Sequence, residues 1–392
     1  MAGRLALPAR DGVSAMKLTV TQENLSKGLT IVGRAVSTKS TIPILANVLL
    51  ETNETGLRLA ANNLEMAITC QLPANVEGQG TITLPAQLFN RFVNSLPAGD
   101  VAMSLNEKTL AMNVQAGKAR ADIKGLKADD FPSMPDVDAG VLCELPAERL
   151  KDAISCVAWA ASDNEIVRPV LNCVYMEFKD NTLVLAAADG YVLAEKRVSL
   201  TQAVAAPTIA LIPKPLVNEV AKVCEGSEPV RITVKGGQIS FQVGRVTLVA
   251  RLVAGTFPNF HRIIPTNCST RAIADVAETI KAVRMVTLFA PSASDGSNNR
   301  SDFKTTKWFV ADNQIMIQAT SAEEGESEVE VNVEQDGPDV MVGLDGRFML
   351  SALNAAPVAK FELGLNSPTM AALLRGVDDD SWQAVIMPIH VK

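Results

Sequence analysis

Few of the 392 residues could carry out covalent or metal chemistry. Histidine occurs only at His261 and His390, so His-rich zinc sites and His-dependent proton relays are not expected. The six cysteines, Cys70, Cys143, Cys156, Cys173, Cys224 and Cys268, form no CxxC pair and most lie in apolar stretches. They read as buried free thiols of a reducing cytosol. There is no GxxxxGK[ST] phosphate loop, no GxSxG elbow and no workable Ser/His/Asp set. Asp189-Gly190 is first a turn signal. The carboxylates of Asp378-Asp379-Asp380 fall in an expected hairpin loop before Trp382 and need no metal. No helix-turn-helix, zinc-finger or basic-aromatic signature is present. The residues therefore predict a non-enzymatic protein without a cofactor.

What remains is recognition by surfaces, and composition limits that too. Hydrophobic residues make up 47% and charged residues 20%, an ordinary globular mixture long enough for two or three domains. No apolar run reaches the roughly 18 residues of a membrane span. The formal net charge of -7 speaks, taken whole, against a generally basic nucleic-acid coat. Residues 1–15 differ from the rest and read as a disordered extension, with too short an apolar patch for a signal peptide. The strand-like Lys17-Leu18-Thr19-Val20 follows Met16.

The remaining 377 residues repeat themselves. Pro43, Leu45, Val48, Glu51 and Leu59 match Pro169, Leu171, Val174, Glu177 and Leu185 at an offset of 126, as do Phe131-Pro132 and Phe257-Pro258. Thr81-Ile82-Thr83-Leu84 matches Thr208-Ile209-Ala210-Leu211 at 127. A weaker third copy follows: Gln314 to Ala319 echoes Thr182 to Ala187 at 132, and Met341 to Leu344 echoes Thr208 to Leu211. Such a period is the mark of a repeated structural unit. Each copy begins with a strand and an amphipathic helix, shown best by Leu150, Ile154 and Val157 after Pro146. Alternating strands follow, then a second helix and closing strands. Gly236-Gly237 reads as a hairpin turn. Each unit thus holds two helices and about eight strands, bounded as 16–139, 140–267 and 268–392.

This organisation, with its motifs, resembles the bacterial DNA polymerase III beta subunit family of sliding clamps. Thr41-Ile42-Pro43-Ile44-Leu45 resembles the family's Thr-Leu-Pro-Ile-Leu, and Asn63-Leu64-Glu65 its Asp-Leu-Glu. Ala188-Asp189-Gly190-Tyr191-Val192-Leu193 resembles Thr-Asp-Gly-His/Tyr-Arg-Leu. Gly255-Thr256-Phe257-Pro258-Asn259-Phe260 resembles Gly-x-Phe-Pro-Asp/Asn-Tyr, and Met387-Pro388-Ile389 the C-terminal Met-Pro-Met/Val. The resemblance spans 16–392. It implies an α+β chain of three tandem clamp domains, each two helices packed on antiparallel sheets. A head-to-tail homodimer would close them into a ring around duplex DNA. It further implies a cytoplasmic, nucleoid-associated processivity factor that tethers the replicative polymerase and needs an external ATP-driven loader.

A clamp needs a positive inner wall. The six predicted helices, 21–34, 85–97, 146–160, 213–224, 275–290 and 346–357, hold the basic residues Lys27, Arg34, Arg91, Arg149, Lys151, Lys214, Lys222, Lys281, Arg284 and Arg347. Six acidic residues oppose these ten, a surplus of +4 that leaves -11 for the rest of the chain. Such a wall attracts phosphates without regard to sequence. Loop residues Lys39, Arg168, Lys124 and Lys127 are further DNA candidates by the resemblance.

The resemblance also implies a hydrophobic pocket for short linear peptides of polymerases, the clamp loader and repair proteins. Leu171, Ala188, Gly190, Tyr191, Val192 and Leu193 would line it from the second unit. Pro258, Arg262 and Ile263 would come from the junction, and Thr369, Ala371, Val385, Met387, Pro388 and Ile389 from the third unit. Methionine and aliphatic side chains suit varied peptides. Val192 and His390 stand where the family usually has Arg, which predicts a weaker dependence on acidic flanking residues. Leu288 and Phe289 are candidates for the subunit interface. The stretch 291–301 reads as a long polar loop and Glu323 to Glu326 as a solvated acidic turn. The alternatives are a repeat-built peptide scaffold that does not encircle DNA, a divergent paralogue, or an enzyme with a site not visible in the sequence.

Overall fold

A strand running straight into a helix begins every half-repeat. The structure, a computed structural model, describes residues 16–37, 40–133, 140–163, 168–224, 228–290, 292–293, 303–322 and 324–390. Among them are six α-helices: α1 (Gln22–Val32), α2 (Ala86–Ser95), α3 (Ala147–Val157), α4 (Lys214–Val223), α5 (Val276–Thr287) and α6 (Gly346–Ala355). All six predicted helices are present, each shorter than its predicted range. The caps explain their starts. Thr21 and Asp275 accept the N–H of Asn24 and Glu278, and Asp345 accepts that of Arg347, satisfying donors of the first turn. Pro85, Pro146 and Pro213 occupy the same N-cap place in the other three. Pro146 therefore precedes the first turn of its helix rather than lying within it.

Burial follows helical spacing. Helix α3 buries Leu150, Ala153, Ile154 and Val157, a stripe at i, i+3, i+4 and i+7. Helices pack in pairs within each copy, α1 with α2, α3 with α4 and α5 with α6. The strands form antiparallel hairpins, and Gly236 and Gly237 turn one of them with φ of +59° and +74°, a region open to glycine at no steric cost.

Contacts divide the chain into two compact units. The first runs up to Gly140 and takes in Arg231–Arg251. It contains a five-stranded sheet in the order Asn75–Gly78, Lys17–Thr21, Asp100–Asn106, Ala111–Ala116, Ala119–Lys124. It also contains the run Gln238–Val243, Val246–Arg251, Met66–Leu72, Gly56–Asn62, Asn47–Asn53, Thr81–Pro85. The second unit comprises Val141–Val230 and Leu252–Lys392. Its larger sheet runs from Thr208–Pro213 through Cys173–Lys179, Thr182–Ala188, Val192–Ser199, Asp379–Ile386, Ala372–Gly376, Lys360–Leu365 and Thr270–Asp275 to Glu334–Asp336. A smaller sheet pairs Phe303–Ala311, Gln314–Ser321 and Gly325–Asn332, with Val340–Asp345 on the other side of Phe303–Ala311.

The repeats and the compact units do not coincide, and one device explains the difference. The last strand of each later copy pairs on one side with its own copy and on the other with the preceding one. Val246–Arg251 pairs with Met66–Leu72, Leu248 opposite Ile68. Asp379–Ile386 pairs with Val192–Ser199, Ala384 opposite Ala194. The flanking bonds repeat as well: Arg251 N donates to Glu65 O at 3.0 Å, and Met387 N to Tyr191 O at 2.8 Å.

Two expectations are corrected. Asp379 lies outside the expected hairpin loop. It opens a strand, accepts a hydrogen bond from the Ser381 hydroxyl and pairs with Lys196 at 3.2 Å. Asp378 alone occupies the turn, at φ +62°. In the acidic stretch Glu324 lies in an exposed turn as expected, but Gly325 and Glu326, also exposed, already begin the strand Gly325–Asn332. Residues 1–15, Lys39, Glu323 and most of 291–301 lie outside the described residues.

Candidate nucleic-acid interface and peptide-docking site

The helices carry the basic residues on their exposed faces. Lys27, Arg91, Arg149, Lys222, Lys281, Arg284 and Arg347 are exposed, as is Arg34 just beyond α1; Lys151 and Lys214 are half-buried. Their surroundings divide them. Lys27 pairs with Glu23, Lys222 with Glu219 and Lys214 with Asp163, each at 2.7 Å. The Lys27 ammonium also holds the Glu23 carboxyl below its usual range. Arg347 grips the buried Asp345 through Nε and Nη2, and Arg284 reaches Asn354 Oδ1 at 3.5 Å. Arg91, Arg149, Lys151 and Lys281 have no ion-pair partner among the described residues and carry uncompensated charge. With the observed boundaries, α1–α6 hold nine basic and five acidic side chains. The surplus is again four, against eleven excess negative charges elsewhere. Of the loop candidates, Arg168 and Lys127 are exposed beside short 3-10 turns, and Lys124 ends the strand Ala119–Lys124.

The docking candidates assemble in the second unit. Asp189 Oδ1 accepts the N–H groups of Tyr191 at 2.8 Å and Val192 at 2.9 Å. Gly190, at φ +99°, completes the turn that the Asp-Gly pair announces. The turn projects Tyr191 outward, 38% exposed, next to Met387 at 39%. Ile263, 46% exposed, follows the 3-10 turn Phe260–Arg262. Gly190, Pro258, Arg262 and Thr369 are exposed; Pro388 and Ile389 are half-buried, with Ile389 N bonded to Gly343 O at 2.8 Å.

The other members lie deeper. Leu171, Ala188, Leu193 and Val385 belong to a buried cluster with Leu211, Phe257, Phe260 and Leu373, and Ala371 packs against it. Val192 is buried opposite Ile386. These residues are the floor of the patch rather than its face. Sequence reasoning missed Met370, an exposed methionine beside Thr369. It also missed the supporting aromatics. Tyr175 lies 5.3 Å from Phe257 and 5.7 Å from Phe260, and His261 stacks 4.2 Å from Phe260. Burial, with Glu177 alongside, pushes the Tyr175 hydroxyl up to about 12. The Phe-Pro and Asp-Gly motifs were the signals that could have located them. Leu288 is 72% exposed at the end of α5, and Phe289 is half-buried.

The cysteines are free thiols, all buried except the half-buried Cys268. Burial pushes Cys143 and Cys224 up to about 12 and Cys70 and Cys156 to about 11, which removes the thiolate that nucleophilic chemistry needs. Among the described residues no helix is long and apolar enough to cross a membrane.

Comparison with known proteins identifies the family. Three family models match in tandem: the DNA polymerase III beta subunit N-terminal domain over 16–135, its central domain over 144–259 and its C-terminal domain over 261–390. The beta sliding clamp of Synechocystis sp. is 28% identical, covering 96% of this chain and 100% of the relative. That of Staphylococcus epidermidis is 26% identical, covering 96% and 99%. The crystal structure of the DNA polymerase sliding clamp from Bacillus subtilis superposes with a TM-score of 0.90 at 24% identity, over 97% of this chain and 100% of that one. The DNA polymerase III beta subunit from Thermotoga maritima gives 0.86 at 25%, over 96% and 100%. The chain belongs to the DNA polymerase III beta subunit family, the sliding clamps, and serves DNA replication as a non-catalytic processivity factor.

Proposed function

We propose that two copies close head to tail around duplex DNA, and that one observation, an unfilled third junction, carries this reading. Each of two junctions within the chain joins the final strand of one copy to the fourth-strand position of the preceding copy. Among the described residues, the final strand of the first copy, Ala119–Lys124, pairs only with Ala111–Ala116. The matching acceptor in the third copy, Gly325–Asn332, pairs among them only with Gln314–Ser321. Each therefore offers an open edge, which such strands do not leave bare without reason. Joining them repeats the pattern between molecules, and doing so twice closes the ring.

The repeat supplies the register. Asn332 lies opposite Gln314 as Ser199 lies opposite Thr182, so Gly325–Val331 stands where Val192–Val198 does. Ala119 follows its hairpin as Val246 does. The pairs that result are Ala119 with Val329, Arg120 with Glu328, Ala121 with Ser327, Asp122 with Glu326 and Ile123 with Gly325 of the partner subunit. Lys118 and Lys124 flank them, opposite Glu330 and Glu324. Three of these rungs join opposite charges; only Asp122 faces a like charge. The acidic stretch then belongs to the subunit contact, and Lys124 to that contact rather than to DNA. Helix α5 packs on Gly325–Asn332, which brings Leu288 and Phe289 toward the same edge.

The helices line the ring in this reading. Arg91, Arg149, Lys151 and Lys281 hold phosphates first; Lys27, Arg34, Lys214, Lys222, Arg284 and Arg347 add field, as does Arg168, and Lys39, outside the described residues, is a further candidate. The Tyr191–Ile263–Met387 patch docks peptides of the polymerase, the loader and repair proteins. The three domains divide near 139 and 267, and the protein works on the nucleoid in the cytoplasm. The test is retention on nicked circular DNA after loading, with release on linearisation. A peptide-binding scaffold would show neither, and a monomer in solution at micromolar concentration would overturn the ring.

A further inference from the structure

A cavity of about 410 Å³ in the second unit lies on the same sheet face as the docking patch, two residues further along. Its walls include Arg197, Arg375, Gln383, His261, Ile264 and Asp380. Cross-strand register sets the relation. Leu193, Val385 and Leu373 lie in one row across three adjacent strands, and all belong to the buried floor of the patch. The next row on that face is Glu195, Gln383 and Arg375. Two residues along a strand advance about 6.6 Å. An apolar row thus passes directly into a polar one.

The polar row is wired together. Arg197 Nε donates to Glu195 Oε1 at 2.7 Å, Gln383 Nε2 donates to Glu195 Oε2 at 2.8 Å, and Arg375 Nε donates to Gln383 Oε1 at 3.4 Å. Glu195 is 1% exposed, so a buried carboxylate anchors the relay. Each arginine spends only its Nε. Both terminal forks have no partner among the described residues, and both residues line the cavity. An arginine held by one edge and free at its fork is preorganised for a carboxylate. Asp380 is the one negative side chain among the described residues that line the cavity.

We propose that this cavity receives acidic side chains of a peptide anchored on the apolar patch, which rests on the docking reading above. Met387 to Gln383 is four strand residues, about 13 Å, the reach of an extended peptide of about four residues. The acidic residues that matter therefore lie about four positions from the anchor, not beside it. Of the docking candidates, Val192 is buried and uncharged, and Arg262 offers one exposed guanidinium against the two of the relay. Charge recognition is displaced along the sheet, from the patch to the Arg197–Glu195–Gln383–Arg375 relay.

The experiment compares three labelled peptides by fluorescence anisotropy on the intact chain. One bears the Met/Leu-type apolar anchor alone, one adds a Glu-Glu pair next to it, and one places that pair four residues away. The distant pair tightens binding about fivefold or more, as two charge-assisted hydrogen bonds at a partly wet site allow, and the adjacent pair by less than twofold. Arg375→Gln removes the gain without touching the buried Glu195–Arg197 contact, and Asp380→Asn increases it. Equal affinity of all three peptides overturns the proposal while leaving the docking reading intact. Failure of the bare anchor to bind overturns the docking reading. In that case tetraglutamate titrated against the Arg197 and Arg375 Nε–H resonances decides the cavity: shifts sustain it, and their absence removes it. Shifts caused by duplex DNA but not by tetraglutamate assign the site to phosphates and overturn the proposal.

Discussion

Reversing one charge at the open edge, Arg120→Glu, tests the ring most directly. In the proposed register Arg120 faces Glu328 of the partner subunit, with Lys118 and Lys124 facing the partner's Glu330 and the partner's Glu324. A cross-strand pair of opposite charges contributes about 0.2–1 kcal/mol, and a like pair costs a similar amount. Reversal therefore removes one term and adds the other, about 0.5–2 kcal/mol per junction. A head-to-tail dimer contains the junction twice, so dimerisation weakens by about 1–4 kcal/mol, or roughly five- to several-hundredfold in Kd. Arg120 is exposed and hydrogen-bonds to nothing among the described residues, so the substitution leaves the fold of the single chain intact. Sedimentation velocity across a concentration series reads the effect. It shrinks above about 1 M salt, where charges beyond about 3 Å are screened. Glu328→Arg alone weakens the dimer in the same way, and the Arg120→Glu, Glu328→Arg double variant restores it. Single variants with unchanged dimer mass, or a double variant no better than either single, would refute the register.

The geometry has further consequences. Replacing Arg149 and Lys281 by Gln lowers DNA affinity evenly across sequences and reduces the slope of log K against log salt by about one per side chain; a change in sequence preference instead would remove them from a phosphate-facing wall. Asp189→Ala deletes two side-chain-to-backbone bonds at 2.8 and 2.9 Å and costs about 1–2 kcal/mol of stability; it weakens peptide binding through the Tyr191 turn, measured by denaturant melts beside anisotropy, and a variant with native affinity would detach the turn from docking. The raised thiols of Cys70, Cys143, Cys156 and Cys224 keep their protons in the native chain when an unfolded chain would release them. Stability therefore falls as pH rises from about 9 toward 12, and Ellman's reagent at pH 8 modifies Cys268 first; a buried thiol reacting first would contradict the packing. At the acid end, burial acts against ionisation of Asp379, but the Ser381 and Lys196 hydrogen bonds prevail and hold it below the ordinary carboxylate value. Its contribution is present above that value and is lost as pH falls through the lowered one.

Periodicity made much of this chain legible before any coordinates. The offset of 126 rests on residues that the structure buries in equivalent places: Leu45 and Phe131 in one cluster, Leu171 and Phe257 in another. Helices were legible for the same reason, because Leu150, Ala153, Ile154 and Val157 mark one face with local spacing alone. The charge split also survived, since it depends only on which residues are helical. Residues joined by long-range strand pairing could not be read in this way. Nothing local in Val246–Arg251 or Asp379–Ile386 says that each also pairs with the copy before its own, which is why compact units and repeats differ. Nor could local sequence say that Val192 and Val385 point inward while Tyr191 and Met387 point outward, a choice set by pleat and register. The Lys196–Asp379 pair spans 183 positions, and the Glu195–Gln383 bond spans 188. The sequence by itself determined the family, the three copies, the helices and the sign of their charge, because those depend on composition and short-range period. Which strand edges remain open, which pocket candidates are buried and which exposed, and how Arg197 and Gln383 meet on the buried Glu195 were settled by tertiary structure alone, because those follow from register between strands far apart in the chain.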